Sequence, residues 1–170
     1  MTLVVADTGP LNYLVVIDAI ELLPRLYDKV VIPSAVLAEL THPHAPSAVK
    51  TWASALPAWV EVKTAAHDEL DEILDPGEAE AIILAEQLKA DSVLLDEMEG
   101  RREALRRGLL VAGTIGVLEK AAERNLINLA DAFSRLARTN FHIAPQLLQQ
   151  ALQRDAANRQ QGRGDQEIGR

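Results

Sequence analysis

Short β-branched apolar runs alternate with stretches of helical periodicity from the first residues to about residue 128. Thr2-Leu3-Val4-Val5-Ala6 is an unbroken apolar run stopped by Asp7-Thr8-Gly9-Pro10, which predicts a buried strand and then a turn. Pro10 suits a first helical position, and helical spacing runs over 11–26 with a break near Asp18. Lys29-Val30-Val31-Ile32, closed by Pro33, predicts a second strand. The helix from Ser34 carries its apolar stripe on Val36, Leu37 and Leu40, with Glu39 at the edge of that stripe. The prolines of Thr41-His42-Pro43-His44-Ala45-Pro46 predict a loop. A helix over 48–55 and a short strand over 59–62 follow, then an acidic stretch over 67–75 that suits a helical turn or a loop. Further on, the pattern predicts helices over 76–90, 98–107 and 114–125, with strands over 92–95 and 109–111 between them. Such alternation implies a central, mostly parallel sheet with helices on both faces, a three-layer α/β/α sandwich.

Past residue 128 the pattern is helical only, over 129–138 and from Pro145 to about Asp155. Residues 156–170 are rich in Gln, Arg and Gly with little to bury, so a loose tail or partner-binding segment is expected there. The chain is read as one domain over 1–155, with a core over 1–128, extra C-terminal helices over 129–155 and a flexible tail.

The stretch over 76–90 carries an acid on an apolar helix face. Ala79-Glu80-Ala81-Ile82-Ile83-Leu84-Ala85 is almost wholly apolar, so the helix is expected to be buried on most sides. On a 3.6-residue period Glu78 shares its face with Ile82 and Ala85, while Glu80 falls near Gln87 on the polar side. A carboxylate on an apolar face costs several kcal/mol, roughly, unless something binds it.

Composition narrows the chemistry. Hydrophobic residues make up 48% and aromatics 4%, so the core is aliphatic. The absence of cysteine excludes disulfides, thiolate zinc sites and cysteine nucleophiles. Asp7 and Gly9-Pro10 interrupt the first apolar run too early for a signal peptide, and no run approaches a membrane span, so a cytoplasmic protein without membrane contact is expected. The net charge of −8 hides an asymmetry: 18 acids and 5 bases in 1–100, 7 acids and 12 bases in 101–170. A metal-dependent enzyme acting on a polyanion can use that division; so can an ordinary solvated surface.

In open parallel sheets ligands bind beyond the carboxyl ends of the strands. Asp7 and Asp96 end strands, Glu78 opens the helix leading to the Asp96 strand, and Glu39 follows the second strand. Four converging carboxylates would repel one another, and a hard divalent cation, Mg²⁺ or Mn²⁺, relieves that. Each has a plainer explanation. Asp75-Pro76-Gly77-Glu78 has the form of a capping box, Asp96-Glu97-Met98-Glu99 allows the same reading, Glu39 suits a solvated helix and Asp7 a turn. His42, His44 and His67 lack nearby zinc partners, and Trp52 and Trp59 read as core.

Taken together these residues resemble the PIN-domain family, of the kind found as VapC-like toxins in prokaryotic toxin–antitoxin pairs and in a subgroup of predicted nucleases. The apolar strand ending in Asp7-Thr8, Ala38-Glu39-Leu40, Glu78 with the alanine-rich helix, and Asp96 18 residues later follow the family's order. Gly77-Glu78-Ala79-Glu80-Ala81-Ile82 and Ala112-Gly113-Thr114-Ile115-Gly116-Val117-Leu118 resemble the subgroup. Glu78 stands where the common toxin form has Asp, and Glu97 and Glu99 compete for the fourth acidic position. The resemblance covers about 1–128 and implies a PIN-like fold and Mg²⁺- or Mn²⁺-dependent hydrolysis of RNA. It implies catalytic roles for Asp7, Glu39, Glu78 and Asp96, and metal ligation by Asp7, Glu78, Asp96 and Glu99. Thr8 and Thr114 would bind a phosphate or a ligand carboxylate, and Arg101 and Arg102, with Arg106 and Arg107 beyond them, would hold the RNA backbone. Implied partners are RNA, a small antitoxin protein and a second copy of the chain. A catalytically weak module that dimerises or binds an antitoxin or nucleic acid without cleaving is the alternative. A phosphoacceptor role for Asp7 is disfavoured, because no Asp-x-Asp follows the first strand.

Overall fold

A computed structural model describes residues 1–66 and 73–168. Among them five strands, β1 (Leu3–Ala6), β2 (Lys29–Pro33), β3 (Val60–Lys63), β4 (Ser92–Leu94) and β5 (Val111–Ala112), form one sheet in the order β3-β2-β1-β4-β5. Every pairing is parallel, so the sheet is wholly rather than mostly so. Val4, Val5 and Ala6 are all fully buried. Successive strand side chains point to opposite faces, so both faces of β1 are covered, as the strand–helix alternation requires. The architecture is α/β.

The helices of this part are α1 (Thr8–Val16), α2 (Leu23–Leu26), α3 (Ser34–Leu40), α4 (Ser47–Ser54), α5 (Pro76–Gln87) and α6 (Met98–Arg106). Asp18 breaks the first helical stretch by taking φ of 60°, in the left-handed region, and a 3-10 turn at Ile20–Leu22 leads into α2. The stretch over 76–90 becomes α5, which packs on β1, β2 and β4. Its Asp75 cap accepts from the Glu78 amide at 2.9 Å, Pro76 fills the first turn, and Gly77 through Ala85 are buried except for Glu80. Fully buried Ile82 and Ala85 sit with Val5, Val93 and Leu95 in the core. The chain steps from β1 through β2 to β3, then returns to place β4 on the other side of β1. That reversal opens a crevice beyond the carboxyl ends of β1 and β4, where Asp7 and Asp96 stand.

The described residues divide into two compact units after Thr114. The second is helical: α7 (Thr114–Glu123, starting at the division), α8 (Leu129–Leu136) and α9 (Pro145–Ile168). Leu129, Phe133 and Leu136 are buried on α8, α8 packs on α9, and Arg154 of α9 pairs with Glu119 of α7 at 2.8 Å. The helix expected to end near Asp155 continues to Ile168. Residues 156–163 are exposed, so local propensity rather than burial extends it: Ala, Gln and Arg favour helix strongly enough to carry Gly162. Trp52 and Trp59 also depart from expectation. They are half-buried, their rings 6.2 Å apart and tilted, because α4 turns Val49 and Ala53 inward and leaves the tryptophans to meet at its margin. No helix among the described residues is long and apolar enough to cross a membrane.

Candidate metal centre

Asp7 follows β1 directly, and its amide donates to the Leu94 carbonyl at 3.0 Å, tying the end of β1 to β4. Its side chain is 4% exposed, and Oδ1 is buried without a hydrogen-bond partner among the described residues. Glu39, the penultimate residue of α3, receives a hydrogen bond from the Thr8 hydroxyl on Oε2 and another from the Gly77 amide. Asp75 stands at the start of α5. One carboxylate oxygen from each of Asp7, Glu39 and Asp75 lies within 4.8 Å of the others.

Asp7 is buried, Glu39 half-buried and Asp75 exposed, and the first two are under electrostatic stress. Burial pushes Asp7 well above the usual carboxylate range, and Asp75, Glu78 and Glu39 add to that, against the opposing Thr8 amide. Glu39 is raised first by burial, then by Asp75 and Glu80, while Thr8 and the Gly77 amide work the other way. A buried, unpartnered carboxylate oxygen facing two further acids is costly without a cation. The donor set, carboxylate oxygens only, is the one hard divalent ions prefer, so the residues fit Mg²⁺ or Mn²⁺. The N-terminus of α5 adds a partial positive charge on the same side.

Gly77 makes the approach possible. A Cβ there would lie 2.8 and 2.9 Å from the two Glu39 carboxylate oxygens and 3.1 Å from Asp7 Oδ1. Gly77→Ala is therefore expected to push the carboxylates out of place and weaken Mn²⁺ binding by roughly 10–100-fold, a typical cost of disturbing the support around a metal site. The displaced atoms are ends of flexible side chains, and alanine is the better helix former. Thermal stability of the metal-free protein is thus expected to change by less than about 1 kcal/mol. Calorimetric Mn²⁺ titration beside a melting curve checks both; unchanged affinity would mean the three acids are not a binding unit.

Glu78 adds its charge to that on Asp7, but neither Glu78 nor Asp96 is among the three mutually close acids. Glu78 is 5% exposed and packs against Gly100, whose added Cβ would lie 3.4 Å from the Glu78 carboxyl carbon. Burial, then Asp75 and Glu97, push its pKa up to about 7. Asp96 accepts from the Thr114 amide on Oδ1 and the Thr114 hydroxyl on Oδ2, both at 2.7 Å. Burial raises it, while Thr114 and Arg101 lower it. Thr8 and Thr114 thus hold carboxylates of the chain itself. Arg101 donates to the Leu95 carbonyl at 2.9 Å. Gly113 leaves room for this pair, since a Cβ there would come within 2.7 Å of the Arg101 guanidinium and 2.8 Å of Asp96 Oδ1.

Of the competing acids after β4, both exposed, Glu97 is the one that bears on Glu78 and on Tyr13; Glu99 lies in the first turn of α6. Arg102 is exposed. Arg106 and Arg107 pair with Glu103 at 2.6 and 2.8 Å, and Arg107 also with Glu86 at 2.7 Å, the arrangement of a solvated helix face. His42 and His44 are exposed, with stacked rings 5.2 Å apart. His67 lies outside the described residues.

Two participants escape sequence reasoning. Spacing assigns Asp75 to a helix cap, and the cap is real, with Oδ1 bound to the Glu78 amide. A cap uses one oxygen, so the role does not preclude ligation; only the fold brings Asp75 to Asp7 and Glu39. Tyr13 of α1 is raised by burial and by the charges of Asp96 and Glu97. No sequence signal marks it beyond its position on α1.

A family model described as a PIN domain matches residues 3–157. No curated protein and no solved structure matches the chain.

Proposed function

Because the chain belongs to the PIN-domain family, we propose that it is a divalent-metal-dependent ribonuclease that hydrolyses RNA phosphodiester bonds. In this reading it is the toxin of a type II toxin–antitoxin pair, acting in the cytoplasm as a homodimer neutralised by a small antitoxin protein. PIN domains are generally nucleases, but fold alone does not establish activity, so the site must carry the reading. The observation that supports it most is the convergence of Asp7, Glu39 and Asp75, with Asp7 Oδ1 buried and unpartnered.

Asp7, Glu39 and Asp75 would hold the ion, with Glu78 and Asp96 beside them. Mg²⁺ or Mn²⁺, when bound, supplies Lewis acidity toward a phosphoryl oxygen and lowers the pKa of water. Glu78, poised near neutrality, is suited to accept a proton from the attacking water. Thr8 keeps Glu39 turned toward the cluster, and Thr114 fixes both oxygens of Asp96. Arg101, held over Gly113, offers a fixed positive charge at the rim, and exposed Arg102 is suited to the RNA backbone.

Incubation of purified protein with labelled RNA tests the activity. Cleavage is expected with Mg²⁺ or Mn²⁺ and not in excess chelator; cleavage undiminished by chelator would defeat the proposal. The engagement of both Asp96 oxygens by Thr114 favours the alternative of a catalytically weak interaction module, and Mn²⁺ binding without any RNA cleavage would support it. The toxin role is tested separately by induced expression. Growth arrest relieved by the neighbouring open reading frame is expected, and unimpaired growth would remove that role.

A further inference from the structure

Helix α3 carries Glu39, yet it begins where a cap is hardest to supply. Pro33 stands at its N-cap position and makes no side-chain hydrogen bond to the helix. The first amides of a helix need acceptors from elsewhere. Glu80 of α5 provides one across the fold: its Oε2 accepts from the Ala35 amide at 2.9 Å and from the Ser34 hydroxyl at 3.4 Å. The Ser34 hydroxyl in turn accepts from that of Thr64 at 3.2 Å, just beyond β3. Glu80 thus leaves the solvated role its place on the polar side of α5 suggested and becomes a remote cap.

We propose that Glu80 is a positioning residue for the metal centre, setting the place of Glu39 relative to Asp7 and Asp75 by capping α3 from α5. The inference rests on the proposed metal site. Helix α3 spans seven residues, about two turns, and so short a helix has little stability of its own. A shift at Ala35 is therefore carried to Glu39, one turn along. The same helix α5 holds α3 at two points, Glu80 on the Ala35 amide and the Gly77 amide on the Glu39 carboxylate. Asp75, the third acid, is the cap of α5 itself. Two acid-bearing helices are locked in register by one side chain that need not touch the ion.

Two mild variants separate reach from charge. Glu80→Asp keeps the charge but is one methylene shorter, and Glu80→Gln loses the charge but keeps an oxygen that can accept from Ala35. With Mn²⁺ binding followed by calorimetry, Glu80→Asp is expected to bind about tenfold more weakly than wild type and Glu80→Gln within about threefold of it. In the metal-free proteins, exchange of the Ala35 amide is expected to quicken in Glu80→Asp and not in Glu80→Gln. Wild-type affinity in Glu80→Asp, or equal loss in both variants, would overturn the positioning role while leaving the metal site intact. Absence of Mn²⁺ binding in the wild type would instead overturn the metal site, and this role with it.

Discussion

Asp7→Asn is expected to lower metal-dependent RNA cleavage by roughly 10²–10⁴-fold, the equivalent of the several kcal/mol that a bound ion contributes to charge stabilisation. Asp7 is the most buried acid of the cluster, and its Oδ1 has no other partner among the described residues. Asparagine keeps the shape and removes the charge that burial and three neighbouring carboxylates already disfavour. Without metal the variant should therefore melt at or above the wild-type temperature, whereas added Mn²⁺ should stabilise wild type far more. Melting curves with and without Mn²⁺, beside the cleavage assay, separate loss of the site from loss of the fold. A lower metal-free melting temperature would attribute lost activity to misfolding.

The second large effect concerns pH. Asp7, Glu39, Glu78 and Asp96 all have pKa values raised in the fold, Glu78 to about 7 from an ordinary 4.5. Raised acids bind more protons folded than unfolded. The stability they contribute is fully present below the unfolded pKa and is lost as pH rises through the folded value. For Glu78 that window runs from about 4.5 to about 7, and the loss amounts to at most about 3 kcal/mol. Metal-free wild type should thus lose stability relative to Glu78→Gln between pH 5 and pH 8, as denaturant titrations at several pH values would record. Mn²⁺ affinity should move oppositely, rising over the same range as protons leave the carboxylates. A wild-type-minus-variant difference that stays flat with pH would show that Glu78 ionises normally.

Much of the fold is legible from apolar runs because parallel strands buried on both faces need unbroken β-branched segments, as in 3–6 and 29–32. Pro33, Pro76 and the Asp75 cap mark helix starts by local chemistry alone, and so does the break at Asp18. The site is legible in part. Asp7 and Asp96 stand at strand ends, where the sheet topology makes a crevice whatever the side chains. Glu78 shows itself as an acid on an apolar helix face. Thr114 is named only through the family resemblance, and Asp75 and Glu80 do not show themselves, because their roles are contacts spanning the sequence: Asp75 with Asp7 and Glu39, Glu80 with Ala35. Both also have a complete local explanation, Asp75 as a cap and Glu80 as a polar helix residue. The C-terminal extension of α9 fails differently, since low burial argued for a loose tail and helix propensity prevailed.

Glu97 and Arg101 show the same limit at closer range. Spacing leaves Glu97 and Glu99 equivalent, yet two residues of helical rotation, about 200°, turn them to opposite sides. Both are exposed, but Glu97, the N-cap of α6, is the one whose charge bears on Glu78. Arg101 sits in an arginine-rich run that reads as a backbone-binding patch, but it turns back to Leu95 while Arg106 and Arg107 pair with Glu103.

The most direct measurement is anomalous diffraction from crystals grown with Mn²⁺. A peak is expected within coordination distance of the Asp7, Glu39 and Asp75 carboxylates, absent in crystals of Asp7→Asn. A peak elsewhere, or none among these three acids at saturating Mn²⁺, would contradict it.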